Sequence, residues 1–557
     1  MTTAAPPRPV GRRGDGPTHR RDRESASPLT GTGALLRLYL RLSRRAVIIW
    51  TLAMLVSVPS SILAMKQAYP DQAALDARAQ LLDNPSAVMM TGPYFAGTRY
   101  TFWAMVTNEL FLWVLIAVAI MSILLTVRHT RTEEEAGRLE MTRALPTGRL
   151  APSAAAFGVV LVANLAVGAA TAAGALMIGG PVADSLALGA ATALTGLVFA
   201  AIAAVTAQIA EHAGTASGMA LGIMALAFMV RGIGDVIDRE GSRLSWFSPF
   251  AWAQQTRIYV DLRWWPLLVS LAATFALLAL AGALSRRRDV GAGLRAARAG
   301  RAGASAGLLR PGGVARRLLR SALLAWGIGL FLFAIAFGAL ASSLGDLMDQ
   351  VPEFSQWAPI TLDDLTGSFS AFVLQMLAIG PVALLVSAVL RMKVEEQAGR
   401  LAPLLIAGTS RTAHALWWFL SAFVGTAVMQ VALGLGVGLG VWAATEQTRW
   451  IGDLTLASLA YLPAITLVGA LALALYGLSL RSTGLAWLVV VYTSLVVFLA
   501  DMLGLPDWAR AISPLDHVSL VPSEDLRVAP LMVMGAAAVV LVVVGILGLR
   551  RRDLAAG

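Results

Sequence analysis

Charge is sparse in this sequence, and where it gathers it repeats. Glu133-Glu134-Glu135-Ala136-Gly137-Arg138-Leu139 and Glu395-Glu396-Gln397-Ala398-Gly399-Arg400-Leu401 share one pattern at an offset of 262 residues, and 8 of the 17 positions from 133 to 149 are identical in the second copy. Chance would give roughly one or two identities over such a stretch. Glu134 and Arg138 stand four apart, as do Glu396 and Arg400. On a helix such pairs meet on one face, with glutamate in the favourable N-terminal place. Gly137 and Gly399 leave room for a partner's backbone to come close. Pro146 closes the first helix, and Gly408 stands there in the second. A solvated loop that merely obeys membrane topology would also be charged. Duplication of the same residues points instead to two docking helices. Glu133, Glu134, Gly137 and Arg138 would serve in one, Glu395, Glu396, Gly399 and Arg400 in the other, and the partner would be present twice.

Other chemistry is limited by what the sequence lacks. It has no cysteine, hence no disulfide, thiolate metal site or cysteine nucleophile. Its two lysines, Lys66 and Lys393, neither follow a glycine nor precede Ser or Thr, so neither belongs to a phosphate-binding G-x-x-x-x-G-K-[ST] loop. A membrane-embedded enzyme would need clustered His, Asp or Glu at membrane depth, and the chain has five histidines in all. No catalytic centre and no metal site is expected. Titratable groups able to harness an ion gradient are few. Glu109, beside Asn108, is either a pathway carboxylate or an interfacial residue; Glu211 and His212 fall in a short turn.

The elements that must hold these residues follow from composition. Of 557 residues 57% are hydrophobic and 14% charged, against about half and about a quarter in soluble chains. Continuous apolar runs exclude a β-barrel and imply an all-α polytopic membrane protein. The runs are 46–65, 106–127, 151–178, 186–207, 214–233 and 265–285, then 321–341, 371–390, 412–441, 454–478, 484–503 and 531–549. That pattern predicts a basic disordered cytoplasmic tail over 1–33, a six-span half over 34–285, an arginine-rich cytoplasmic linker over 286–320 and a second six-span half over 321–557. With the N-terminus inside, 33 of the 44 basic residues fall on the cytoplasmic side, so both termini are expected in the cytoplasm of a cell whose plasma membrane the chain crosses. The net charge of +11 is thus topological, and no nucleic-acid partner is expected.

The halves share further landmarks. Ser248-Pro249 resembles Ser513-Pro514, Asp261-Leu262-Arg263 matches Asp525-Leu526-Arg527, and Arg286-Arg287-Arg288-Asp289 matches Arg550-Arg551-Arg552-Asp553. Equal order and orientation predict two parallel six-helix repeats about an axis along the membrane normal.

The pattern E-E-x-A-G-R-L, followed by Pro or Gly and then Thr-x-Arg before a span, resembles the coupling-helix region of ABC-2 type transporter permeases. The fused twelve-span form is similar to membrane subunits that export polyketide antibiotics, of the tetronasin-resistance kind. The resemblance covers nearly everything after residue 34, and Ala402 and Pro403 depart from it where the first copy has Glu140 and Met141. It implies a type V exporter-like fold and short extracellular or re-entrant helices over 234–264 and 504–530. It also implies two copies of a separate cytoplasmic ATPase, which would bind ATP and magnesium and dock on the coupling helices, and a hydrophobic drug- or antibiotic-like cargo. An exporter of lipid or glycan on the same fold is one alternative, and a proton-coupled multidrug carrier another. The G-x-x-x-D-R-x-G-R-R loop of twelve-span major-facilitator carriers is missing.

Candidate pathway residues lie on the second and eighth spans: Asn108, Glu109, Phe111, Trp113, Phe372, Gln375 and Met376. Met and aromatic side chains suit variable apolar ligands, and the same residues also suit plain helix packing. Glycine stripes at 214, 218 and 222 and at 434, 436, 438 and 440 allow close helix contact. Aromatics from Tyr94 to Trp103 and from Trp246 to Trp265 form either an interfacial belt or an outer gate.

Overall fold

The computed structural model describes residues 27–82, 85–95, 100–288, 293–294, 303–310, 312–343, 364–500 and 505–554. Most of the expected tail and linker, and Asp289 of the arginine-rich landmark, lie outside them. The helices of the first part are α1 (Thr32–Ala68), α2 (Gln72–Leu81), α3 (Pro85–Thr91), α4 (Phe102–His129), α5 (Arg131–Glu135), α6 (Arg138–Arg143), α7 (Ala151–Met177), α8 (Val182–Ile209), α9 (Ala213–Ile237), α10 (Pro249–Gln254) and α11 (Trp265–Ser285). They continue as α12 (Ala306–Leu309), α13 (Gly313–Ala339), α14 (Leu365–Gln397), α15 (Leu401–Ile406), α16 (Arg411–Thr445), α17 (Arg449–Leu459), α18 (Leu462–Leu478), α19 (Leu485–Leu499), α20 (Asp507–Arg510) and α21 (Val528–Arg551).

Eleven helical segments among the described residues, α17 and α18 together (Arg449–Leu478) counting as one, are long and apolar enough to cross a membrane. Local sequence sets their ends. Pro152 and Pro266 start α7 and α11, where a missing N–H costs nothing. The Asp364 side chain accepts from the Gly367 N–H at 3.0 Å, and Ser410 from Ala413 at 3.1 Å, capping α14 and α16. The run 484–503, expected as a span, differs: its helix α19 has 15 residues, about 22 Å, short of a hydrocarbon core of about 30 Å. Residues 501–504 are not among those described. In the other direction α1 begins at Thr32 rather than 46 and runs 37 residues. The chain before it is pinned, for Gly148 and Leu150 donate their N–H groups to the carbonyls of Thr30 and Pro28 at 2.8 and 2.9 Å.

The chain forms two compact units, the described residues of Met1–Ile62, Leu110–Arg231 and Trp246–Ala297 in one, and those of Leu63–Glu109, Gly232–Ser245 and Arg298–Gly557 in the other. In the first, α8 packs on α7 and α11. Gly168 and Gly189 let α7 and α8 meet backbone to backbone: a Cβ on Gly168 would lie 2.5 Å from the Gly189 carbonyl oxygen. In the second unit α13 packs on α16 and α18 on α21, around a core that includes Leu385, Val389, Trp418, Tyr461 and Leu473. Trp418 donates its indole N–H to the Ala388 carbonyl at 2.9 Å.

The two glycine stripes part ways. Gly434 and Gly438 lie against α17 and Gly436 and Gly440 against α13, each with backbone or side-chain atoms under 3 Å from where a Cβ would be. That is helix packing. Nothing lies within 4 Å of a Cβ built on Gly214, Gly218 or Gly222.

Candidate docking site on the duplicated loops

Each acidic loop is built the same way. A left-handed glycine breaks the chain between two helical segments, Gly137 at φ +70° and Gly399 at φ +71°. Only glycine adopts that backbone without strain. The leucine two residues later, Leu139 or Leu401, is buried under the short helix α6 or α15. The first glutamate of each motif binds the motif's own arginine: Glu133 accepts from Arg138 at 2.7 and 2.8 Å, and Glu395 from Arg400 at 2.6 Å. The second glutamate turns inward. Glu134 meets Arg131 at 2.5 Å and Arg288 at 2.8 Å, and Arg288 also donates to the Gln208 side chain at 2.8 Å. Glu396 accepts two bonds from Arg552, each 2.6 Å, and one from the Tyr476 hydroxyl at 2.6 Å.

Arg288 and Arg552 are the third arginines of the two R-R-R-D landmarks. Each follows the last long helix of its part of the chain, α11 or α21, so each loop is clamped to the end of that helix. A second tie repeats. Arg149 reaches the Ser285 carbonyl at 3.5 Å, and Arg411 reaches the Leu549 carbonyl at 3.2 Å.

This corrects the expected pairing of Glu134 with Arg138 and of Glu396 with Arg400. The glycine break ends the helical register on which a four-residue spacing depends, and the pairs formed are five apart. It also corrects the picture of one surface helix per loop. Glu134 and Glu396 have side chains 8% and 1% exposed, so they hold the loops and do not present them. The outward residues are Glu135, Ala136, Glu140, Met141 and Leu145 in the first loop and Ala402, Pro403 and Ile406 in the second. Met141 is 66% and Ile406 87% exposed. Hydrogen bonding to Glu396 raises the Arg552 guanidinium above its usual value.

The clamp arginines were visible in the sequence as a repeat but not as partners. The signal was their constant distance from the acidic motif, nearly equal in both halves. Two further buried charges escaped notice: Arg231 and Asp235, fully buried and four apart on α9. Asp235 accepts from the Ser245 hydroxyl at 2.7 Å.

Most of the pathway candidates are taken up by packing or hydrogen bonds within their own unit. Asn108 is buried and bonded to Tyr100 and to the carbonyls of Gly92 and Pro93. Glu109 is bound to Arg78 of α2 by bonds of 2.5 and 2.8 Å. Burial, and then Glu109, raises the neighbouring Tyr100 hydroxyl well above the usual phenol range. Phe111 is buried whereas Trp113 is exposed. Phe372 and Met376 pack on the core of the second unit, and Gln375 donates to the Leu515 carbonyl at 3.3 Å. Among the aromatics, Trp246 stacks on Trp265 at 5.2 Å. Among the described residues no group of three or more His, Asp or Glu could hold a metal.

Residues 308–550 match the family model described as multidrug efflux system permease Rv1217c, C-terminal domain. The multidrug efflux system permease protein Rv1217c of Mycobacterium tuberculosis (strain ATCC 25618 / H37Rv) is 34% identical over 560 residues, spanning 96% of this chain and 98% of its own length.

Proposed function

The chain belongs to the family of multidrug efflux system permeases, and on that premise we propose that it is the membrane subunit of an ATP-driven exporter of hydrophobic drug-like molecules. It is a multi-pass transmembrane permease. The further reading is that a cytoplasmic ABC ATPase, present twice, docks on the loops around α5–α6 and α15 and supplies the ATP and magnesium chemistry. Both termini then face the cytoplasm of the bacterial cell. One observation carries this reading: the same clamp, glutamate to helix-end arginine, occurs on both acidic loops. A loop that only marked topology would need no such anchor. A loop pushed by a partner must pass displacement to the transmembrane helices, and a buried ion pair at a helix end does that.

The docking face is the outward one, not the clamped glutamates. Replacing Met141 and Ile406 together by aspartate should leave the permease folded and abolish its capture of an ATPase in mild detergent. ATP-driven efflux should fall about tenfold or more, since largely exposed side chains cost little to change in the free chain but much in a packed interface. Undiminished capture by that double variant would remove the assignment.

A second reading has its own support. Ionisable residues buried in span-length helices often carry ion-coupled work, and Arg231 and Asp235 are of that kind. If a proton gradient drives transport, Asp235→Asn abolishes gradient-driven efflux by the chain alone. If ATP drives it, there is no such efflux to abolish.

A further inference from the structure

An open cavity of about 510 Å³ lies between the start of α1, the end of α4 and the loop helices α5 and α6. Its apolar walls include Leu38, Leu42, Met141 and Leu145. Tyr39 and Arg128 face it uncommitted. Tyr39 is 96% buried, the complement of its 4% exposure, and its hydroxyl has no hydrogen-bond partner among the described residues. The ring cannot readily swing away. It stacks on His129 at 5.1 Å, and His129 is itself held by the Ser43 hydroxyl at 2.5 Å. Arg128 is exposed and has no ion-pair partner among the described residues. The cavity's one carboxylate, Glu133, is fully engaged by Arg138 through two bonds. An uncommitted guanidinium and an uncommitted phenol over a greasy wall attract an oxyanion with an apolar tail, and there is no free carboxylate to hold a cation. The volume falls in the range of small-molecule sites.

We propose that this cavity binds an amphipathic anion, its carboxylate or phosphate between Arg128 and Tyr39 and its tail along Leu38, Leu42, Met141 and Leu145. The proposal rests on the permease reading only in placing the site on the same side of the membrane as the docking loops. The ligand is either an anionic lipid headgroup or a free organic acid, and the test separates them.

The full chain in phosphatidylcholine nanodiscs, without any ATPase, is titrated with dansyl-undecanoic acid and with its neutral methyl ester. The acid should bind saturably and at least about tenfold more tightly than the ester, the range expected for a charge-assisted hydrogen bond. Arg128→Gln and Tyr39→Phe should each weaken the acid severalfold and leave the ester unmoved; Leu42→Trp, which fills the cavity, should remove acid binding. Equal binding of acid and ester, or an acid affinity unmoved by both Arg128→Gln and Tyr39→Phe, would overturn the proposal. Loss of probe binding in discs containing phosphatidylglycerol assigns the site to a lipid headgroup, and unchanged binding assigns it to a free acid. No ATPase takes part, so the outcome is independent of how transport is powered.

Discussion

Glu134→Ala will lower the thermal stability of the chain more than any other single change on the two acidic loops. Two guanidiniums depend on that carboxylate. Arg131 is 1% and Arg288 9% exposed, so each would lose a carboxylate partner away from water while keeping bonds such as those to the Glu211 carbonyl and the Gln208 side chain. Breaking a buried ion pair in this way costs about 3–5 kcal/mol. Glu396→Ala should cost less, nearer the lower end, because Arg552 is 13% exposed and follows the last turn of α21, from which it can turn to solvent. Intrinsic fluorescence of the chain's 15 tryptophans follows both melts in detergent. Replacing Arg552 together with Glu396 should restore much of the second loss, since no orphaned charge then remains. Equal melting of wild type and Glu134→Ala would show that the clamp holds nothing.

The second large effect is steric. Gly477→Leu should prevent α18 and α21 from packing. A Cβ on Gly477 would fall 1.9 Å from the Gly545 carbonyl oxygen, and Gly545 and Gly548 meet backbone of α18 under 3 Å from the other side. Backbone cannot step aside as a side chain can, so the cost should reach or exceed about 3 kcal/mol, the upper range for overpacking. The variant is expected to elute as aggregate in size-exclusion chromatography. Gly535→Leu, on the same helix α21 with nothing within 4 Å, should elute as wild type. A monodisperse Gly477→Leu protein would refute the close approach.

These residues show what the sequence could and could not tell. Apolar runs announce membrane helices because a backbone in lipid must satisfy its own hydrogen bonds, and eleven of the expected runs are span-length helices here. The exception, 484–503, fails on length: hydropathy reads side chains, and whether a helix persists depends on packing and on where it breaks. The repeat at Glu133–Leu139 and Glu395–Leu401 was plain, and so were the R-R-R-D landmarks. Their union was not, because pairing across more than 150 residues is tertiary. Helical spacing gave the wrong salt bridges for one reason, that Gly137 and Gly399 adopt a left-handed turn and end the register. The glycine stripe on α16 packs as spacing suggests, while that on α9 faces open space, a difference no local pattern encodes. The pathway residues on α4 and α14 have side chains suited to apolar cargo, yet most of them are taken up by packing or hydrogen bonds, which residue type does not encode.

In the proposed mechanism, movement made by a separate ATPase enters through the two clamped loops and drives efflux. The most direct measurement is extrusion of a fluorescent amphipathic dye from proteoliposomes that hold this chain with and without whichever ATPase it captures in mild detergent. Extrusion on ATP is expected only when both are present, is lost when Met141 and Ile406 become aspartate, and is absent from the chain alone under a proton gradient. Extrusion of equal rate by the chain alone, powered by that gradient and indifferent to ATP, would contradict that mechanism.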